Sequence, residues 1–249
     1  MLAGYIFDRT AAAAKASELM QPVPDQTAFV FGNDFRIPPE MTMLAMALPL
    51  GSGALQFQLD SPMLRQISRM WIAPPENSDQ IDSYGPTPYF LDNAPAVRPG
   101  ESLNAYAEAN AAADRTQLGV WFSDNIPSAI RGQNMRTVRG VTTGNFEAGQ
   151  WTTQQITLDQ DLPEGWYQLI GAKVTGGGQF SRFIFPDGRN YRMMVPIVSS
   201  VTQPWDQIFR YGKLGAWGRF ENFVPPKLEV WGTAQTTGQT VYLDVVKMS

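Results

Sequence analysis

Between Arg136 and Met248 the chain never runs far before it meets a turn, and this spacing constrains the fold more than any other feature. Five short apolar or alternating runs, 136–146, 151–158, 166–175, 180–185 and 193–198, are set apart by Glu147-Ala148-Gly149, Pro163-Glu164-Gly165, Gly176-Gly177-Gly178 and Pro186-Asp187-Gly188. Three more follow. Residues 214–220 are apolar and aromatic, 228–234 come after Pro225-Pro226, and in 240–248 Val241, Leu243 and Val245 alternate with Tyr242, Asp244 and Val246. Runs of this length and alternation are read as strands, and the Gly176-Gly177-Gly178 run, with strands on both sides, as a hairpin or a bulge.

The first half is less regular. Ala28–Ile37, Thr42–Leu50 and Ala54–Leu59 read as a meander, broken by Pro38-Pro39-Glu40 and Gly51-Ser52-Gly53. Met63–Trp71 fits either spacing and is read as a short helix running into a strand. Pro74–Gly100 is rich in Pro, Asn, Asp and Ser and reads as a long loop interrupted only by Tyr89-Phe90-Leu91. Leu103–Ala109 and Gln117–Ser123 are two further strands, and the polar link Asp124–Gln133 is the best candidate for a domain boundary. One helix is expected, Asp8–Met20: four consecutive alanines followed by Lys, Glu, Leu and Met are strong helix formers, Asp8 can cap, and Pro22 stops it. Its small face, Ala13, Ala16 and Met20 with Ile6, would pack on its own domain or on a neighbouring subunit.

The class is therefore all-β. At 249 residues the chain is long enough for one large sandwich or two domains, and the eight strands of the second half have the count of a jelly roll, a two-sheet design that suppresses open edges. The expected organisation is an N-terminal helical arm over 1–26, a first, jelly-roll-like β-sandwich over 27–124 and a second jelly roll over 134–249.

Two zeros in the composition exclude most hydrolase designs. No Cys means no disulfide, thiolate nucleophile or thiolate metal site, and no His means no Ser-His-Asp system, no imidazole-bound zinc and no histidine switch. Charged residues are only 17%, and the cations are 14 Arg against 5 Lys, a bias toward the bidentate contacts made at protein interfaces. The N-terminus lacks the pattern of a signal peptide, and the most continuous apolar stretch, Met41–Leu50, is too short to span a bilayer, so a soluble chain is expected.

The remaining constellations favour structure over chemistry. Glu147, Asp159, Asp161 and Glu164 are close in sequence and a carboxylate pair can cleave a glycosidic bond, yet all four lie beside turns, where solvation accounts for them. Asp159-Gln160-Asp161 and Asp79 with Asp82 lack the spacing of a calcium loop. Trp166, Trp217 and Trp231 sit within apolar strands and are expected in the core rather than on a sugar-stacking surface. The clusters Arg131, Arg136, Arg139 and Arg182, Arg189, Arg192 are small for a nucleic-acid face but could touch a phosphate or an acidic subunit edge.

Several stretches taken together carry a resemblance: Gly119-Val120-Trp121-Phe122-Ser123-Asp124, Arg136-Thr137-Val138-Arg139, Leu162-Pro163-Glu164-Gly165-Trp166-Tyr167, Phe183-Ile184-Phe185-Pro186, 209–218 and Thr240-Val241-Tyr242-Leu243-Asp244. Over about residues 103–246 the chain resembles the C-terminal part of jelly-roll major capsid proteins of tailless icosahedral bacteriophages. The resemblance implies a structural coat protein whose single or double jelly roll forms trimers or pseudo-hexameric capsomers that tile an icosahedral shell. It implies a homotrimer whose partners are copies of itself, minor capsid proteins or an internal membrane. No catalytic residue, cofactor, metal or sequence-specific nucleic-acid contact is implied, and the location is the virion after synthesis in the host cytoplasm. The sparser strands and long loop of the first half depart from a double jelly roll. A carbohydrate-binding β-sandwich module of a phage or bacterial surface is the alternative, marked by two or three exposed aromatics on one strand face or loop rim. An enzyme would instead show paired carboxylates in a cleft.

Overall fold

A computed structural model of the chain describes residues 2–25, 29–51, 53–65, 68–72, 90, 94–124, 135–186, 192–198, 209 and 215–248. The described residues contain strands and turns and no helix. The chain forms two compact units, Ala3–Ile126 and, together with Met1–Leu2, Pro127–Ser249.

The N-terminal unit is built from β1 (Leu2–Thr10), β2 (Ser17–Leu19), β3 (Gln21–Pro22), β4 (Val30–Phe31), β5 (Asp34–Phe35), β6 (Met43–Leu50), β7 (Ala54–Asp60), β8 (Met70–Ile72), β9 (Asn104–Ala109) and β10 (Arg115–Ser123). Two four-stranded sheets, ordered β3-β1-β10-β6 and β2-β9-β7-β8, account for all but the β4–β5 hairpin. The alternation is visible where one face is wet: in β9, Ala105, Ala107 and Ala109 are buried while Asn104, Tyr106 and Glu108 are half-exposed. β6 and β10 are buried almost throughout, β10 as an inner strand between β1 and β6. Tyr5, Phe7, Phe35 and Phe122 meet in one aromatic cluster, with ring centroids 4.7 Å apart for Tyr5 and Phe35 and 5.5 Å for Phe7 and Phe35. The late part of the expected long loop is not loose. Residues 94–97 lie along the free edge of β6 through an antiparallel Met43–Ala96 bridge, with Leu44 N–H donating to Pro95 O at 2.9 Å and Val97 N–H to Thr42 O at 2.9 Å. Of Tyr89-Phe90-Leu91 only Phe90 is among the described residues, and its N–H donates to Ala45 O at 2.9 Å.

The expected helix over Asp8–Met20 is absent. Its first residues continue β1, its middle is a turn and Ser17–Leu19 form β2, paired with β9. The reason is a competition of scales. Leu2–Phe7 are all buried beside β10, and each large side chain so placed contributes about 1.5–3 kcal/mol, against a few tenths per residue for helix propensity. Alanines have little area to bury in return, and Ala12–Ala14 are exposed. The turn has its own supports. Lys15 takes a left-handed φ of 54°, which ends any helix, and the Glu18 carboxylate accepts the N–H groups of Ala12 (3.0 Å) and Ala13 (3.1 Å) while pairing with Arg9 at 2.9 Å. The bond from Ala12 leads in holding the Glu18 carboxyl below its ordinary range. The helix expected to open Met63–Trp71 reduces to a turn, with Arg65 N–H donating to Ser61 O; 66–67 lie outside the described residues and β8 follows.

The C-terminal unit comprises β11 (Met135–Val141), β12 (Thr152–Gln155), β13 (Thr157–Leu158), β14 (Trp166–Thr175), β15 (Phe180–Ile184), β16 (Met193–Val198), β17 (Gly218–Glu221), β18 (Lys227–Trp231) and β19 (Thr240–Lys247). They form one nine-stranded sheet, ordered β12-β18-β15-β16-β14-β19-β11-β13, with β17 on β14. Its two terminal strands, β12 and β13, are consecutive in sequence, so the sheet nearly closes on itself. The closure has a thin seam: β14 and β16 are parallel and, among the described residues, share only Val174–Ile197 and Thr175–Val198, so the sheet divides into the ladders β11-β19-β14-β17 and β12-β18-β15-β16. Between them lies a core that includes Phe180, Phe183, Leu228, Val241, Leu243 and Val245. Gly176-Gly177-Gly178 makes neither a hairpin nor a bulge. β14 and β15 are not paired, and the three glycines carry the chain from one ladder to the other. The crossing is tight: Gly178 has φ 93°, and a Cβ there would sit 2.9 Å from Val230 Cγ1 and 3.1 Å from Ile197 Cδ1.

The two units share one pairing scheme. Let β1, β2/β3, β6, β7, β8, residues 94–97, β9 and β10 be segments one to eight of the first, and β11, β12/β13, β14, β15, β16, β17, β18 and β19 those of the second. In both, one ladder runs one-eight-three-six and the other two-seven-four-five. The correspondence extends to a detail: the early part of segment two pairs with seven (β2 with β9, β12 with β18) and the late part with one (β3 with β1, β13 with β11). The β4–β5 hairpin is an insertion into the first copy.

Candidate functional site

The carboxylates singled out in the sequence do not form a reaction centre. Asp159 is engaged by Arg139, whose own pKa is raised chiefly by that hydrogen bond. Glu147 accepts from Gln235 Nε2 at 3.2 Å, and Asp161 and Glu164 are exposed beside turns. Among the described residues no three of His, Cys, Asp or Glu converge on a metal-sized site, and Asp79 and Asp82 lie outside them.

The second arginine cluster is internal. Arg182 on β15 is 1% exposed, and its Nε donates to Glu229 Oε2 at 2.5 Å; Arg192 Nη1 donates to the same oxygen at 2.7 Å. Thr153 Oγ1 donates to Glu229 Oε1 at 3.1 Å, and the Arg182 guanidinium lies 4.0 Å from the centre of the Trp151 ring. Register explains the convergence, since Thr153 and Arg182 both stand opposite Glu229 on the flanking strands. Arg182 and Arg192 are therefore committed to the sheet and do not form an open basic face; Arg189 and Arg131 lie outside the described residues. In the first cluster Arg136 and Arg139 are both exposed on β11.

A different feature stands out at one end of the β11-β19-β14-β17 ladder. Trp217 and Trp231 are buried as expected, but Trp166 is 42% exposed, because at the start of β14 the inward position falls to Tyr167. Beside it, the turn after β17 presents Phe223, 70% exposed, and Val224. Met135 begins β11 and Met248 follows β19, so both reach the same end. Met135 is opposite Val246, and Met248 N–H donates to Trp166 O at 2.8 Å. Every large apolar side chain exposed among the described residues of this unit is at this end.

The turn that carries Phe223 is held on three sides. Asn222 N–H donates to Gly165 O at 3.1 Å, Asn222 Oδ1 accepts Gly165 N–H at 3.2 Å, and Val224 N–H donates to Glu221 O at 2.9 Å. Pro225-Pro226 then fixes the exit. The rim is mainly cationic. Arg219 lies over the Trp166 ring at 5.5 Å, and Arg136, Lys227 and Lys247 are exposed nearby, against Glu164 and Glu221. Sequence reasoning assigned Trp166 to the core and passed over Phe223; the available signal was an aromatic-aliphatic pair in a turn, where polar residues are the rule, pinned by two prolines.

No family model, curated protein or solved structure matches the chain.

Proposed function

We propose that the chain is a structural coat protein, two jelly rolls in tandem, that self-assembles as trimers into an icosahedral virus capsid. The single observation that carries the reading is the repeated pairing scheme. The pairs one-eight, two-seven, three-six and four-five, with eight beside three and seven beside four, are what results when a long antiparallel hairpin is rolled into two facing sheets, the jelly roll used by capsid and lectin domains. Two such units in one chain double the lateral surface that each copy offers to its neighbours, which suits a closed lattice of identical subunits. The exposed apolar end, rigid and rimmed by cations, is a surface of the kind that protein contacts cover. On this reading the chain is not an enzyme, its partners are copies of itself, and its place is the virion.

The test is electron microscopy of the purified chain at high concentration. Regular capsomers or closed shells are the expected result; dispersed single molecules would count against the reading. One observation favours the second reading, a carbohydrate-binding module: Trp166 and Phe223 are exposed at the same end of one unit, as sugar stacking requires. Glycan binding lost on Trp166→Ala, in a chain that stays single, would select it.

A further inference from the structure

We propose that the wet face of the β2-β9-β7-β8 sheet, in the N-terminal unit, binds a neutral polysaccharide chain, with Trp71 as its stacking platform. The face shares no residue with the apolar end of the C-terminal unit, and the proposal stands whether or not copies of the chain assemble.

Register brings the groups together. Leu19, Tyr106, Gln58 and Trp71 stand opposite one another in one row across all four strands, and Ser17, Glu108 and Gln56 form the next row. Members of a row share one side of the sheet, about 4.8 Å apart from strand to strand, and successive rows are about 7 Å apart. On the other side Phe57, Leu59, Ile72, Ala105 and Ala107 are buried in the core. Arg69, two residues before Trp71, also lies on the wet side. Its guanidinium is 3.6 Å from the centre of the Tyr106 ring, its Nη1 donates to Gln58 Oε1 at 3.2 Å, and its Nε is 3.5 Å from Asp60 Oδ2. Gln56 Nε2 donates to the Glu108 carboxylate.

Two observations point to a sugar. The first is Trp71, 56% exposed on β8, an outer strand of its sheet, where proteins usually guard an edge with charge or proline. An indole so placed sets a flat apolar surface beside hydrogen-bonding groups. A pyranose ring, apolar on its faces and hydroxylated on its rim, is the complement of that pairing. The second is the state of the polar groups. Their mutual bonds fix them, yet among the described residues each keeps capacity to spare: Gln58 Nε2 can still donate, and Gln56 Oε1 and Glu108 Oε1 can still accept. Groups ordered before binding lose little freedom when a ligand arrives. Charge then selects the class. Arg65 and Arg69 both pair with Asp60, and with Glu108 the four charges sum to zero, so the face has no excess charge with which to prefer an acidic polymer.

The experiment is native affinity electrophoresis of the full chain through gels cast with dextran, laminarin or galactomannan, and with alginate as the acidic control, alongside sedimentation velocity. Expected is retardation by at least one neutral polymer, weakened on the order of tenfold or more in Trp71→Ala, restored in Trp71→Phe and unchanged in Trp166→Ala. Trp71 is an exposed side chain, and unchanged melting checks that its variants fold. No retardation by any neutral polymer, retardation by alginate alone, or binding that survives Trp71→Ala would overturn the proposal. An assembly that breaks up in Trp71→Ala would assign Trp71 to a contact between copies, overturning this site and leaving the coat-protein reading standing. A wild type that stays single yet binds through Trp71 would do the reverse.

Discussion

Glu229 illustrates how a buried charge is held at the residue scale. Its carboxylate accepts from two guanidiniums and a hydroxyl, and removing it takes a paired negative charge away from the buried Arg182. Breaking a buried pair from one side costs about 3–5 kcal/mol, so Glu229→Ala should lower the unfolding free energy by that order, measured by denaturant titration. Asp60 offers a pH test. The hydrogen bond from Arg65 leads in lowering its pKa, with the charges of Arg65 and Arg69 acting the same way against desolvation. A depressed folded-state pKa means stability that is present above the ordinary value of 3.8 and lost as pH falls through the lowered one. Wild type should therefore melt above Asp60→Asn at neutral pH, and the two curves should converge in acid; parallel curves would deny the linkage. At Gly178 the left-handed backbone and the packing of Val230 and Ile197 predict that Gly178→Ala destabilises by about 1–3 kcal/mol.

At the scale of elements, most strands of the C-terminal unit were legible because each has a clean apolar run and a turn residue at its end. Val241, Leu243 and Val245 in β19 are all buried, as their alternation requires. The pairing was not legible, since partners such as Thr153 and Glu229 are far apart in sequence and no local signal marks them. The alanine run misled for a physical reason: propensity acts residue by residue, while β1 is held by burial against β10. Trp166 misled because the same apolar strand composition serves a buried middle and an exposed start. Leu118-Gly119-Val120-Trp121-Phe122 and Leu214-Gly215-Ala216-Trp217-Gly218 are alike in composition only, since the first lies in β10, segment eight, whereas Gly215–Gly218 lead into β17, segment six. Because β1 has neighbours on both edges, deleting residues 1–10 should expose the N-terminal unit to proteolysis. A dispensable helical arm would leave it resistant. Far-UV circular dichroism should correspondingly show a predominantly β spectrum.

For the whole molecule, the repeated scheme and the opposite charges of its two units describe one design. The chain carries two similarly paired bodies whose net charges differ in sign. Low charge overall and an excess of Arg over Lys suit surfaces that meet protein rather than water. The proposed self-association is tested most directly by the native mass of the chain, measured by light scattering on a sizing column. A coat protein should elute as a closed multiple of the 27.6 kDa chain, a trimer or a larger regular assembly. A single 27.6 kDa species that persists as concentration rises would contradict it.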